Sequence, residues 1–212
     1  LIHTRSGNAK YLYEISHGHP LWMNPADADA LGFETSDLVR IQTDTGHFVM
    51  RVWRTEGIRP GVVAASHHLG RWRLNDAMGN ERWSSALVDI EKTGDSTWRL
   101  RQKKGIEPFT SSDSDSERFW WKDAGVNQNL AFPPHPDPVS GVHAWHQRVR
   151  LVAAGADDRY GDIVVDTAKS FAIYREWLAM TKPAPGPDGL RRPLWLDRPV
   201  KPTDDAYRMG DG

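Results

Sequence analysis

Side chains that can bind phosphate or a polar heterocycle are concentrated at the start of the sequence. The segment I-H-T-R-S-G-N-A-K places Thr4, Arg5, Ser6 and Asn8 directly after a short predicted strand. Hydroxyls, backbone amides and a guanidinium can converge there on an anionic or heterocyclic ligand. The alternative is a turn in which serine and asparagine side chains satisfy their own backbone. The order of the segments that follow decides between the two.

Imidazoles appear further along the chain without the spacing of a metal site. Ser66-His67-His68 ends a predicted strand, and adjacent histidines in a strand point to opposite faces. They cannot readily chelate one metal, which argues against zinc here. Because the sequence contains no paired catalytic carboxylates and no nucleophile triad, we find no self-contained active site.

Strands and short helices must position these groups. Residues 37–54 alternate apolar and polar side chains around Asp44-Thr45-Gly46, which predicts a β-hairpin. Residues 24–32 predict a short capped helix that glycine ends, and residues 61–66 predict a further strand. Residues 148–152 predict a closing strand, and residues 168–180 a helix.

Composition excludes several classes of protein. Among 212 residues, 27 Lys and Arg nearly cancel 28 Asp and Glu, which makes nucleic-acid binding through Arg71, Arg73, Arg99 and Arg101 a poor hypothesis. The absence of cysteine excludes disulfides and an iron–sulfur cluster held by this chain alone. No run approaches the roughly 18 apolar residues of a membrane span. Because the sequence opens within what reads as a strand, we expect a fragment or a processed piece.

Two parts of the chain fall outside the predicted core. Segment 104–118 is polar and predicts a surface insertion. Residues 183–202 form a proline-rich tail that needs a surface to lie on, and some of the ten tryptophans are expected to face a partner domain. We therefore divide the chain into a domain at 1–155 and a C-terminal helix with an extended tail at 156–212, packing on a neighbouring domain or subunit.

Three blocks in order carry a resemblance to a known family. They are the segment N-P-x-D-A-x-x-L-G that leads into D-x-V-x-I, then G-I-R-P-G-V-V-A-A-S-H-H, then G-V-N-Q-N-L-x-F followed by D-P-V-S. This succession, over about residues 1–153, resembles the C-terminal molybdopterin-dinucleotide-binding domain of the DMSO reductase family. The resemblance implies a β-rich α+β fold, with a six-stranded double-psi β-barrel accompanied by short helices.

The resemblance also implies a cofactor and its binding residues. The cofactor would be bis-molybdopterin guanine dinucleotide with molybdenum or tungsten. Its pterin or pyrophosphate would face the first loop, and Asn24 and Asp27 would lie near a guanine, although both can equally cap the short helix. One of His67 and His68 would lie beside the cofactor. The full set of predicted binding residues is His3, Thr4, Arg5, Ser6, Asn8, Asn24, Asp27, His67, His68, Asn127, Asn129, His146 and Gln147.

This sequence departs from the family pattern before its last strand. The family often has an aromatic residue and a lysine there, whereas this chain has Trp145, His146, Gln147 and Arg148. The charge role would then fall to His146 or Arg148. In the preceding block, an asparagine would hold the pterin ring, and spacing to Asp137-Pro138 favours Asn129 over Asn127.

Two functions remain open at this point. In the first, the chain is the C-terminal portion of the catalytic subunit of a molybdenum or tungsten oxidoreductase. The remaining domains would then supply the metal ligand and the iron–sulfur cysteines, and an iron–sulfur electron-transfer subunit is an expected partner. In the second, the chain is a non-catalytic double-psi barrel that recognises a substrate or a protein. The substrate, the choice of metal and the compartment are not determined by these residues.

Overall fold

A β-hairpin forms where the sequence alternates most regularly. This computed structural model describes residues 12, 15, 18–67, 88–102, 126, 128–133, 135, 142–143, 146–183 and 191–196. Residues 38–42 and 46–54 are antiparallel strands, with Val39 opposite Met50 and Ile41 opposite Phe48. These four side chains are buried, as alternation toward a core requires. The predicted hairpin is confirmed.

The hairpin belongs to a sheet of eight strands. In chain order they are β1 (Leu21–Met23), β2 (Leu38–Gln42), β3 (Gly46–Arg54), β4 (Val63–Ala64), β5 (Val88–Lys92), β6 (Thr97–Gln102), β7 (Arg150–Ala153) and β8 (Ile163–Asp166). The main path is β4-β1-β3-β8-β6-β5, and β2 joins β3 to β7. β1 runs parallel to β3, whereas the other pairs in this sheet are antiparallel. Over the described residues this sheet is open.

Short helices connect the strands at places that the sequence marks. Helix α1 (Pro25–Leu31) begins after Asn24, whose Oδ1 accepts the Ala26 N–H at 2.9 Å. It ends at Gly32, which has a φ of 72° that favours glycine. A turn of 3₁₀ helix spans Gln128–Ala131. Helix α2 (Thr167–Met180) follows β8 directly and leads into an antiparallel pair, β9 (Thr181–Pro183) and β10 (Arg191–Leu196).

The core lies between α1, the 3₁₀ turn and the inner face of the sheet. Its largest buried side chains include Phe48, Leu21, Met23 and Ile41. Phe132, just past the 3₁₀ turn, packs edge-on against Phe48 with ring centroids 5.5 Å apart. The predicted β-rich α+β class is therefore confirmed.

Ion pairs attach the segment between β7 and β8 to the sheet. Arg40 on β2 donates two hydrogen bonds to the Asp158 carboxylate, and Arg101 on β6 binds the buried Asp162 carboxylate. Arg99, one of the arginines considered for nucleic acid, pairs with Glu91 across the β5–β6 hairpin. Arg71 and Arg73 lie outside the described residues. No helix in the described part of the chain has the length and apolarity needed to cross a membrane.

Candidate functional site

A buried polar cluster lies where three segments of the chain meet. We define the polar cluster as His19, Ser66, Gln128 and Asn129, which come from the segment before β1, the end of β4 and the 3₁₀ turn. The Gln128 Nε2 donates to the Ser66 carbonyl at 2.6 Å, and the His19 Nδ1 accepts the Val126 N–H at 2.9 Å. These bonds bring together residues that are more than 60 positions apart in the sequence.

The 3₁₀ turn is held in place by the hairpin predicted from the sequence. The hydroxyls of Thr43 and Thr45, in the turn between β2 and β3, both donate to the Ala131 carbonyl. The Thr45 bond measures 2.8 Å and is buried. Val126 and Ala131 pack in the core on either side of Gln128. Core packing therefore fixes the backbone that carries the amides of Gln128 and Asn129.

Buried polar atoms in the cluster have capacity for a ligand. Gln128 Oε1, Asn129 Oδ1 and His19 Nε2 are buried and have no hydrogen-bond partner among the described residues. A buried carbonyl oxygen without a partner costs about 1–3 kcal/mol, so such groups usually face something. Two amide acceptors suit a ligand with N–H and NH₂ donors on one edge, as pterins and guanines have. The donor set of the cluster thus fits a pterin dinucleotide.

Burial keeps the imidazole of His19 neutral. The residue is only 3% exposed, and burial lowers the His19 pKa to about 4, against the opposing effect of the Ser66 carbonyl. A neutral ring whose Nδ1 accepts a hydrogen bond carries its proton on Nε2. His19 is therefore an acceptor at one nitrogen and a donor at the other.

We expect this pKa shift to make stability depend on pH. Between about pH 6.5 and 4 the unfolded chain binds a proton at His19 that the folded chain does not, so stability falls as the pH is lowered through this range. The full loss is about 3 kcal/mol. Urea unfolding at pH 7, 5.5 and 4.5 measures it.

His19→Asn provides the control for that measurement. The variant should lose less stability than the wild type between pH 7 and 4.5, although burial also lowers the pKa of His47 and its contribution persists in both proteins. An equal loss in the two proteins would show that His19 does not cause the dependence.

Asn24 and Asp27 both make hydrogen bonds within the fold. The Asn24 Nδ2 donates to the Ile58 carbonyl at 2.7 Å while its Oδ1 caps α1. The Asp27 Oδ2 accepts the Gly61 N–H at 2.7 Å, at the turn before β4. Both side chains thus fix the approach to β4. The capping interpretation of Asn24 is confirmed, and the contact of either residue with a guanine stays a prediction.

The other predicted binding residues fall into three groups. His67 directly follows Ser66 and is half-buried, and Asn129 belongs to the polar cluster. His146 is exposed, whereas the Gln147 Nε2 donates to the Pro133 carbonyl at 3.1 Å and so ties its segment to the end of the 3₁₀ turn. The residues that lie outside the described part of the chain are His3, Thr4, Arg5, Ser6, Asn8, His68 and Asn127.

Sequence reasoning missed His19 and Gln128. Gln128 stands between Asn127 and Asn129, and its amide offers the same donors and acceptors as theirs, so the residue type was a usable signal. His19 follows a histidine and a glycine in S-H-G-H-P, with no periodicity that separates a buried ring from an exposed one. Within the described residues, no group of three or more His, Asp or Glu side chains is arranged to hold a metal ion.

Comparison with known proteins identifies the class of domain. Residues 2–94 match the family described as "Molydopterin dinucleotide binding domain". The chain is 36% identical over 74 residues to dimethyl sulfoxide reductase DmsA of Haemophilus influenzae, which is 35% of this chain and 9% of that protein. A Halobacterium salinarum protein, named as a "Putative dimethyl sulfoxide reductase catalytic subunit", is also 36% identical over 62 residues, which is 29% of this chain and 7% of that relative.

The chain therefore contains a molybdopterin-dinucleotide-binding domain of the DMSO reductase family. This confirms the family predicted from the ordered blocks and the binding of a molybdopterin dinucleotide. The matched segments span less than a tenth of either relative. The family match ends at residue 94, before the block that contains Gln128 and Asn129.

Proposed function

We propose that this chain is the C-terminal portion of the catalytic subunit of a molybdenum or tungsten oxidoreductase, in which it binds bis-molybdopterin guanine dinucleotide. The observation that carries the proposal is the polar cluster, where buried amide oxygens of Gln128 and Asn129 lack partners among the described residues. The bound cofactor would supply the electron-transfer chemistry. The residues of this chain would bind and orient it.

Each predicted segment has a role in this proposal. Asn129 and Gln128 would accept hydrogen bonds from the pterin or guanine edge, and His67 would lie at the adjoining end of β4. The first loop, with Arg5 and its hydroxyl neighbours, would hold the pyrophosphate. His146 and Gln147 would complete the binding surface beside the 3₁₀ turn. Asn24 and Asp27 would contact the guanine, in addition to fixing α1 and the turn before β4.

The double-psi barrel is part of the same proposal. Its support is the parallel pairing of β1 with β3, which places two strands side by side although β2 lies between them in the chain. An interleaved barrel needs connections of this kind. The division at residue 155 also stays a proposal.

The proposed partners are the remaining domains of the catalytic subunit and an iron–sulfur electron-transfer subunit. The exposed surface of α2 supports a contact with such a partner, because Phe171 and Tyr174 are 60% and 51% exposed. The redox activity of the relatives would require residues that this chain does not contain, since it has no cysteine.

The cofactor content of the full-length protein tests the proposal. Acid-released pterin, the guanine nucleotide found by mass spectrometry, and molybdenum and tungsten would be measured per mole of protein. We expect Asn129→Ala to lower the pterin and metal content by about tenfold, because the variant loses a buried acceptor. Gln42→Ala, which removes a half-buried amide outside the polar cluster, should retain normal content.

Two outcomes would contradict these expectations in different ways. Normal pterin and metal content in Asn129→Ala would remove Asn129 from the binding site. A wild-type protein that contains no guanine dinucleotide would instead support the recognition module without a cofactor.

A further inference from the structure

The imidazole of His19 connects segments that are distant in the sequence. Its Nδ1 accepts the Val126 N–H at 2.9 Å, and its own backbone carbonyl accepts the hydroxyl of Tyr160 at 3.1 Å. The residue is only 3% exposed. One buried residue therefore contacts both the segment before the 3₁₀ turn and the segment that leads to β8.

The orientation of this ring is determined by its hydrogen bond. The Val126 N–H can be accepted only by an unprotonated Nδ1, so the neutral ring presents an Nε2–H on its other side. The lowered pKa of His19 agrees with a neutral ring. The Nε2 faces the region of the Ser66 carbonyl, which also receives the Gln128 amide at 2.6 Å.

Ser66 and Gln128 each precede a predicted cofactor residue. His67 follows Ser66, and Asn129 follows Gln128. A displacement of the Ser66 carbonyl relative to the 3₁₀ turn would therefore move His67 and Asn129 apart. Since an error of about 1 Å in a binding site is already costly, a buried group that fixes this distance affects the ligand without touching it.

We propose that His19 is a positioning residue for the cofactor, which holds the backbone before the 3₁₀ turn and the end of β4 in register so that Asn129 and His67 face the dinucleotide together. The proposal rests on the proposed function. His19 itself needs no contact with the ligand, and it acts through Val126 and Ser66. The acceptor at Nδ1 is the part of the ring on which this role depends.

Two substitutions of His19 separate positioning from space filling. In His19→Asn the side-chain oxygen can occupy the place of Nδ1 and accept the Val126 N–H, whereas His19→Phe keeps a buried ring of similar size without an acceptor. His47→Phe is the matched control, because His47 is another histidine with a buried Nε2 that lacks a partner among the described residues, and it lies outside the polar cluster.

The test measures acid-released pterin and bound metal per mole of full-length protein, together with the thermal midpoint of each variant. We expect His19→Asn to keep the wild-type content within about twofold, and His19→Phe to lose about tenfold. His47→Phe should keep its content even where its midpoint falls as far as that of His19→Phe.

Each contrary result has its own meaning. Wild-type content in His19→Phe would overturn the positioning role alone. Equal loss of content in His19→Phe and His47→Phe at equal midpoints would also overturn it, because loss of stability would then explain the effect. A wild-type protein without any dinucleotide would overturn the proposed function and this inference with it.

Discussion

Replacing Gly46 with alanine should destabilise the chain by about 3 kcal/mol or more, because the new methyl group meets backbone rather than side chains. A Cβ at this position would lie 1.9 Å from the Val164 oxygen and 2.9 Å from the Val164 carbonyl carbon. Backbone atoms within a paired strand cannot rotate away. Relief requires β8 to move away from β3, which breaks the register between Gly46 and Val165. Urea unfolding of the full chain measures the loss.

Gly57→Ala is the matched control for this substitution. The nearest atoms to its Cβ would be side-chain atoms, Thr55 Oγ1 at 3.3 Å and Trp22 Cζ3 at 3.8 Å. A threonine hydroxyl can shift by a few tenths of an ångström, so we expect a change within about 0.5 kcal/mol. Similar costs for the two variants would show that β3 and β8 are less closely paired than their register indicates.

Removing the carboxylate of Asp162 should cost about 3–5 kcal/mol, because it leaves the charge of Arg101 largely buried and without its partner. Asp162 is 1% exposed and accepts from the Arg101 guanidinium and from the Arg159 N–H at 3.0 Å. The Asp162 carboxylate in turn raises the pKa of Arg101. Asp162→Ala therefore loses a pair and two directed hydrogen bonds together, as urea unfolding at pH 7 would measure.

Two further variants make this result specific. Glu91→Ala removes the exposed ion pair with Arg99 and should cost less than about 1 kcal/mol. Combining Asp162→Leu with Arg101→Met should cost less than Asp162→Leu alone, since no buried charge is then left without a partner. If Asp162→Ala is as mild as Glu91→Ala, water reaches Arg101 and the buried pair is not a source of stability.

Local patterns predicted the parts of the fold that depend on neighbours in sequence. The alternation around residues 44–46 indicated the β2–β3 hairpin, and Asn24, Pro25 and Gly32 indicated the ends of α1. The helix predicted at 168–180 is α2, which begins one residue earlier, after two N–H groups bond to Asp166. The strand predicted at 61–66 forms only at Val63–Ala64, where β1 is available as a partner.

Contacts between distant residues could not be predicted in this way. The Asp162–Arg101 pair joins residues 61 positions apart, and either residue alone reads as an ordinary surface charge. The same holds for the contact of His19 with Val126, 107 positions apart. The candidate site was therefore predicted as separate residues such as Asn129 and His67, while the buried groups that connect them were missed.

The position of β8 also bears on the proposed boundary at residue 155. Ile163–Asp166 pairs with both β3 and β6, so the main sheet extends to Asp166, and α2 starts immediately after it. The assignment of the later residues to a separate packing element stays a prediction.

The place of β8 between β3 and β6 has a consequence for synthesis on the ribosome. Gly46 must wait for Val165, more than a hundred residues later, before that edge of β3 is paired. Contacts of such high sequence separation slow folding, because a long loop must close before they form. Until then, the nascent chain presents an unpaired strand edge beside Phe48, a typical site of misassociation. We infer that the interval between translation of β3 and β8 is when this chain is most vulnerable to aggregation.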